Sequence, residues 1–451
     1  MMEDKKSILI KPFSKPCNAR VEIPGSKSIS NRALILSSMC HAEVELNGLL
    51  ISEDVDLMRD ALTTLGITIQ QDGNSCKIKG TGGIIPKKEC SINVGNAGTI
   101  ARFLTCLLAS QKNGIYSMDG TEAMRKRPML ELMNCLGNLG AVIEYQKDYG
   151  CFPFRFQSNG FKSNKIIIDA TKSGQNISGI LMQCPLLQSD CEVIFSDGTV
   201  SLPFVKMTLE MMRSFSDNNY LDYSLNEDRI HIKKSSYKKT PFTYDIEPDA
   251  TAASYFITLP QVVGGKCEIS GMHEQMLQGD IAYSHVLGSL GANLYFDDNG
   301  ISSEGTGILN GGSFDFVDIS DTFLTLAAIS PLMNSTLEIY GIEHTRKQET
   351  DRVSAMSQEL IKLGQDVEEF DDRLVIHPNI NKLRNLSRDG VEINTYNDHR
   401  FAMSFAILGC FDLFDDGTSW LNIHNPGCCA KTFPLFFNCL DTVRNHSFGK
   451  L

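Results

Sequence analysis

The chain has 451 residues, 42% hydrophobic and 21% charged, which is enough apolar material for packed cores and excludes a disordered or collagen-like chain. Its 42 Lys and Arg against 54 Asp and Glu give a net charge of −12, the wrong sign for a surface that grips nucleic acid or an anionic membrane. No apolar run reaches the roughly 18 residues of a membrane span, and the opening MMEDKKSILI reads as neither signal nor transit peptide. Fourteen cysteines without a C-x-x-C pair are expected to stay reduced in a cytoplasmic protein.

Two elements recur at intervals of about 75 residues. The first is an apolar helix rich in small residues and opened by a polar cluster. It reads SISNRALILSSM from Ser28, NAGTIARFLTCLLA from Asn96 and SGQNISGILMQCPLL from Ser173, then DATAASYFITLPQVV from Asp249, SDTFLTLAAIS from Ser320 and NDHRFAMSFAILG from Asn397. The second is a helix-period run that usually closes on Leu-Gly before a strand-like stretch. Its copies are DLMRDALTTLGITI from Asp56, LELMNCLGNLGAVI from Leu130, YSHVLGSLGANL from Tyr283 and VSAMSQELIKLGQDV from Val353, with VKMTLEMMRSF from Val205 and FPLFFNCLDTV from Phe433 lacking the Leu-Gly. In the first repeat the periods predict a buried helix over about 30–40, strands over about 43–47, 67–71 and 75–79, and an amphipathic helix over about 55–65. Units this short must share cores, so α/β units grouped into two halves are expected. The stretch KKSSYKKTPFTYDIEPD from Lys233, where charge and proline replace apolar periodicity, marks the boundary.

The polar openings are where chemistry is expected, because a helix N-terminus offers free N–H groups and a positive dipole end. PGSKSISNR supplies Lys27, Ser28 and Arg32; its spacing is not that of a Walker loop, and alone it reads as an ordinary cap. GNAGT from Gly95 offers flexible backbone. MRKRP brings Arg125, Lys126 and Arg127 to a helix start, where cations oppose the dipole unless an anion binds. TRKQETDR from Thr345 could be no more than a surface salt-bridge network. NDHR ends in Arg400 and NPGCCAKTFP carries Lys431, while His399 alone reads as structural. No metal-ligand spacing is present, so no metal site is expected, and no nucleophile elbow appears either. An enzyme acting on small, multiply anionic substrates and a non-catalytic anion-binding or scaffold protein both fit. Asp54, Asp321 and Glu349 beside the bases favour the enzyme, because proton transfer needs acids.

The set PGSKSISNRALIL, GNAGT, KRPM, QETDR, NDHRFAM and PGCCAKTFP, in this order, resembles the 5-enolpyruvylshikimate-3-phosphate (EPSP) synthase family from about Pro24 to Pro434. The resemblance implies an inside-out α/β fold of two domains, each of three βαβαββ units, with the active site in the interdomain cleft. The expected domains are residues 26–245 and residues 1–25 plus 246–451, the N-terminal strand crossing back to the second. The implied reaction moves the enolpyruvyl group of phosphoenolpyruvate to the 5-hydroxyl of shikimate 3-phosphate and releases phosphate without a cofactor or metal, in the shikimate pathway to chorismate and aromatic amino acids. By the same resemblance Asp321 is the base, Glu349 the acid at C3 and Lys27 the group that helps phosphate leave. Phosphoenolpyruvate is expected against Lys27, Gly98, Arg127, Gln175, Arg352, Arg400 and Lys431. Shikimate 3-phosphate is expected against Lys27, Ser28, Arg32, Ser173, Gln175, Ser201 and Asp321, with Asp54 and Asn96 in support. The protein is expected to be a cytoplasmic monomer whose partners are these two small molecules, with no nucleic acid and no membrane.

Four positions depart from the family's usual residues, all on the side expected to hold the shikimate ring: Gly174 for serine, Phe204 for tyrosine, His344 for asparagine and Gln348 for lysine. An amide at 348 carries no charge, and a neighbour such as Lys347 would point about 100° away on a helix. A different phosphorylated ring alcohol as acceptor is therefore the alternative substrate. A murein-type UDP-sugar transferase fits less well, because its cysteine-bearing loop has no match here.

Overall fold

The structure, a computed structural model, describes residues 6–170, 173–199, 202–307 and 309–447. The chain divides into two compact units, Gly25–Ile246 and Met1–Pro24 with Glu247–Leu451. Neither is built on a single large sheet. Each wraps small sheets around helices that are apolar on nearly every side, and such helices must be buried.

Among the described residues of Gly25–Ile246 there are three four-stranded sheets with one recurring order: a parallel pair, then two antiparallel strands. The second sheet shows the unit whole. Glu89–Asn93 lies parallel to Lys112–Asp119, which pairs antiparallel with Phe154–Asn159, and Phe154–Asn159 pairs antiparallel on its other side with Val142–Tyr145. The Gly98–Ala109 helix crosses between the parallel strands, and Leu130–Asn138 precedes the antiparallel ones. All twelve residues of Gly98–Ala109 are buried, its Gly, Ala, Thr and Cys letting neighbouring helices approach. The third sheet repeats this with Lys165–Ala170, Cys191–Thr199, Arg229–Ile232 and Tyr223–Leu225. In the first sheet the leading strand comes from the far end of the segment: Phe242–Asp245 runs parallel to Glu43–Asn47. The charged stretch after Lys233 is therefore partly strand, and Tyr237 within it also bridges to Ser216.

The other unit follows the same plan. Cys17–Val21 lies parallel to Gly265–Ser270, and Gly312–Asp315 to Leu337–Tyr340. Val391–Ile393 lies parallel to Leu421–His424, whose other edge takes Ser7–Leu9 antiparallel. Both N-terminal strands thus belong to this unit. Its core helices are Ala250–Val263, Phe323–Ile329 and His399–Gly409, all from small-residue copies. Where the period predicted helices over 30–40 and 55–65, they run Lys27–Met39 and Glu53–Thr64, started early by the Ser26 and Ser52 caps. Among the described residues no helix is long and apolar enough to cross a membrane.

Candidate functional site

In the unit containing Glu247–Leu451, five of the expected residues meet in one ion network. Asp321 lies just before the Phe323–Ile329 helix, Arg352 opens Arg352–Lys362, Arg400 lies in the first turn of His399–Gly409, and Lys431 ends the short Pro426–Lys431 helix. Arg352 is the hub, its side chain 1% exposed. It donates through one terminal nitrogen to Asp321 Oδ1 at 2.9 Å and to the Gln348 amide oxygen, and through the other to Glu349 Oε2 at 3.0 Å. Its Nε donates to Asp398 Oδ2 at 2.7 Å. Arg400 donates to Asp321 Oδ2 at 2.7 Å, and Lys431 Nζ to Glu349 Oε1 at 2.7 Å. Three cations thus face three carboxylates. Burial works against the charge of Arg352, but Asp398, Glu349 and Asp321 outweigh it and hold the guanidinium ionised.

His344 reaches the same region by its neighbour: its Nε2 is 2.8 Å from the hydroxyl of Ser320, the residue before Asp321. Burial pushes the His344 ring down, with Arg352 in the same direction and Asp321 and Glu343 opposing. The TRKQETDR segment is split by its own geometry. Arg346 pairs with Asp351 and Glu369 at 2.9 and 3.0 Å in a surface network, while Glu349 and Arg352 turn inward.

In Gly25–Ile246 the expected residues gather at the starts of buried helices. Lys27 Nζ lies 3.5 Å from Asp54 Oδ2. MRKRP also divides: Arg125 is taken by Asp119 and Glu122 at 2.6 and 2.7 Å, Lys126 is exposed, and Arg127 donates to the Asn96 carbonyl at 3.5 Å. Arg127 Nε has no acceptor among the described residues. Gly98 makes this approach possible: a Cβ there would sit 3.0 Å from nitrogens of both Arg102 and Arg127. Ser173 is the N-cap of Gly174–Leu181, with Gly174 buried and Gln175 partly exposed. Ser201 lies outside the described residues.

Arg32 is drawn furthest inward, at 1% exposure. Its Nε donates to Thr208 Oγ1 at 2.8 Å, and its other nitrogens to Ser28 O and Ser178 Oγ at 2.9 and 3.0 Å. The Phe103 and Phe204 rings lie 5.0 and 5.9 Å from its guanidinium carbon. Phe204 thus meets Arg32 with its π-face, a contact that needs no hydroxyl.

Sequence reasoning passed over Asp398 and Arg102. Asp398 had a readable signal as the polar residue before an apolar helix: it caps His399–Gly409 by accepting from Arg400 N at 3.0 Å. Arg102 donates to Gly98 O, at 3.0 Å, and to Asn176 Oδ1, at 3.1 Å, from inside an apolar helix. Nothing in its local pattern separates it from an arginine on a solvated face.

The profile of the EPSP synthase (3-phosphoshikimate 1-carboxyvinyltransferase) family matches residues 13–440. The 3-phosphoshikimate 1-carboxyvinyltransferase of Opitutus terrae is 42% identical over 448 residues, covering 98% of each chain. That of Nostoc punctiforme is 36% identical over 433 residues, covering 96% of this chain and 97% of the other. Among solved structures, an EPSP synthase from Acinetobacter baumannii shares the fold with a TM-score of 0.78 at 22% identity, over 97% of this chain and 98% of that one.

Proposed function

The chain belongs to the EPSP synthase family, and on that premise we propose that it transfers the enolpyruvyl group of phosphoenolpyruvate to the 5-hydroxyl of shikimate 3-phosphate, releasing phosphate. In this reading Asp321 takes the hydroxyl proton as the oxygen bonds to C2, and Glu349 gives a proton to C3, forming a tetrahedral adduct. In the second step a C3 proton returns to Glu349 and the bond to the phosphate oxygen breaks. Lys27 neutralises the charge that builds on the leaving phosphate. Gly98 N–H, Arg127, Gln175, Arg352, Arg400 and Lys431 are assigned to phosphoenolpyruvate. Ser28, Arg32, Ser173, Gln175 and Ser201, with Gly174, His344 and Gln348, are assigned to shikimate 3-phosphate. No cofactor enters this scheme, and the enzyme is taken to be a cytoplasmic monomer.

The observation that carries the reading is the pairing of both acids with cations suited to phosphate and carboxylate: Asp321 with Arg352 and Arg400, Glu349 with Arg352 and Lys431. An arriving anion competes for those donors and frees the acids for proton transfer. Purified protein should release phosphate from phosphoenolpyruvate only when shikimate 3-phosphate is present, with or without a chelator. Release without acceptor would overturn the proposal. Turnover with another phosphorylated ring alcohol but not with shikimate 3-phosphate would favour the alternative acceptor, for which Gln348 and His344 speak.

A further inference from the structure

The helix that opens on Arg352 carries a second ionic anchor, one that the scheme above does not use. Glu359 stands seven positions on, two turns along the same side of Arg352–Lys362, and is 0% exposed. Its Oε2 accepts from Lys362 Nζ at 2.6 Å and from Asn394 N at 3.2 Å, and its Oε1 from the Tyr396 hydroxyl at 2.8 Å. Lys362 Nζ also donates to Glu392 O at 3.0 Å. At the other end of the helix Asp398 Oδ2 accepts from Arg352 Nε at 2.7 Å. Residues 392–398 therefore run back along the helix, from its last residue to its first.

Between these anchors the backbone turns. Tyr396 and Asn397 have φ of 54° and 59°, a left-handed conformation that residues with a Cβ resist and that persists only where surrounding contacts hold it. The holding contacts come from several sides. The Tyr396 hydroxyl is bound to Glu359, and its ring meets Phe401 edge-on with centroids 5.6 Å apart. Asn425 Nδ2 donates to Asn397 Oδ1 at 2.7 Å, and Asp398 N to Thr395 O at 2.8 Å. Burial and the Glu359 carboxylate push the Tyr396 hydroxyl up, so it remains a donor. Arg400 follows directly. Its backbone N donates to Asp398 Oδ1 at 3.0 Å, and its guanidinium reaches Asp321 Oδ2 at 2.7 Å and also hydrogen-bonds Tyr255.

We propose that Glu359 and Tyr396 are positioning residues for Arg400: their hydrogen bond clamps the left-handed turn and so fixes where the Arg400 guanidinium enters the site. The proposal rests on the reading of Arg400 as a phosphoenolpyruvate ligand. Without the clamp, Tyr396 and Asn397 relax toward ordinary backbone angles, and the residues that follow shift with them. Asp398 stays tied to Arg352, and Asp321 and Tyr255 still draw on Arg400, so the ion network survives but is displaced. A displaced guanidinium meets the incoming anion less well.

The test is steady-state kinetics of Tyr396→Phe, which keeps the ring against Phe401 and loses only the hydroxyl. Its KM for phosphoenolpyruvate should rise roughly tenfold, while kcat and the KM for the acceptor stay within about twofold to threefold. Glu359→Met, which fills similar space and accepts nothing, carries the same expectation from the other side of the bond, and serves if Tyr396→Phe does not fold. The double variant with Arg400→Lys shows whether the effect passes through Arg400. There the loss of the hydroxyl should change kcat/KM for phosphoenolpyruvate by no more than about twofold. Unchanged kinetics, an equal rise in both KM values, or the full loss persisting beside Arg400→Lys would each overturn the proposal. Arg400→Lys alone separates the two readings. An unaltered KM for phosphoenolpyruvate there would remove the assignment of Arg400, and the clamp's role with it. A weakened Arg400→Lys beside a native-like Tyr396→Phe would remove only the clamp.

Discussion

Gln348 turns its amide oxygen to the same Arg352 nitrogen that donates to Asp321. It acts as a neutral acceptor inside the cation network, so a lysine at this position would set an ammonium against a buried guanidinium and would have to swing away from it. The Gln348→Lys protein should lose about 1 kcal/mol of stability with the hydrogen bond. If the acceptor is shikimate 3-phosphate, the freed ammonium can meet it, and kcat/KM should hold or rise by up to about tenfold, the equivalent of roughly 1.4 kcal/mol. Steady-state kinetics with both substrates decides the matter. A native enzyme that barely turns over shikimate 3-phosphate and is not improved by the lysine would point to another ring alcohol. His344 acts at the same scale. Its burial favours the neutral ring, so its contribution to stability is present above the unfolded value near 6.5 and is lost as pH falls through its lower folded value.

Helices carry the next level of organisation, and Arg32 shows what their close packing demands. The side chain leaves Lys27–Met39 and ends among Gly98–Ala109, Gly174–Leu181 and Leu202–Phe215, meeting Phe103, Ser178 and Thr208. Burial pushes its guanidinium down to about 9, so the charge is held by hydrogen bonds and aromatic faces. Thr208→Val keeps the volume but removes the acceptor of Arg32 Nε, leaving a donor of a buried cation unmatched. The urea midpoint should fall by an amount equivalent to about 1–3 kcal/mol. An unchanged midpoint would mean that Arg32 does not depend on this contact.

For the whole molecule, chain order and spatial order differ at both ends of the Gly25–Ile246 segment. Residues 7–9 and 17–21 precede that segment but complete sheets formed after it. Ile10, Phe13, Val21 and Ile23 are buried in the core of the later unit. At about 1.5–3 kcal/mol for each side chain fully buried, their loss would rival the roughly 5–15 kcal/mol that holds a domain together. A chain lacking residues 1–24 should therefore lose amide protection in Ala250–Val263 and His399–Gly409 and keep it in Lys27–Met39 and Gly98–Ala109. Hydrogen exchange followed by mass spectrometry reads this directly. Equal protection in both groups would show that the N-terminal strands are dispensable.

The amino-acid sequence by itself determined the repeat, the alternation of small-residue and amphipathic helices, the α/β class and the family. Each of these is written in local periodicity or in short motifs, and the helices lie where the periods put them, shifted only by their caps. Which polar residues turn inward was decided only by the tertiary structure. Arg125 and Arg127, or Arg346 and Arg352, are equivalent as letters in a basic cluster. What separates them is a partner elsewhere: Asp119 takes Arg125, and Asp321 and Asp398, 31 and 46 residues along the chain, take Arg352. Charge acquires chemical meaning when water is removed and an opposite charge is fixed nearby, and at Arg352 the opposite charges come from residues far apart in the chain.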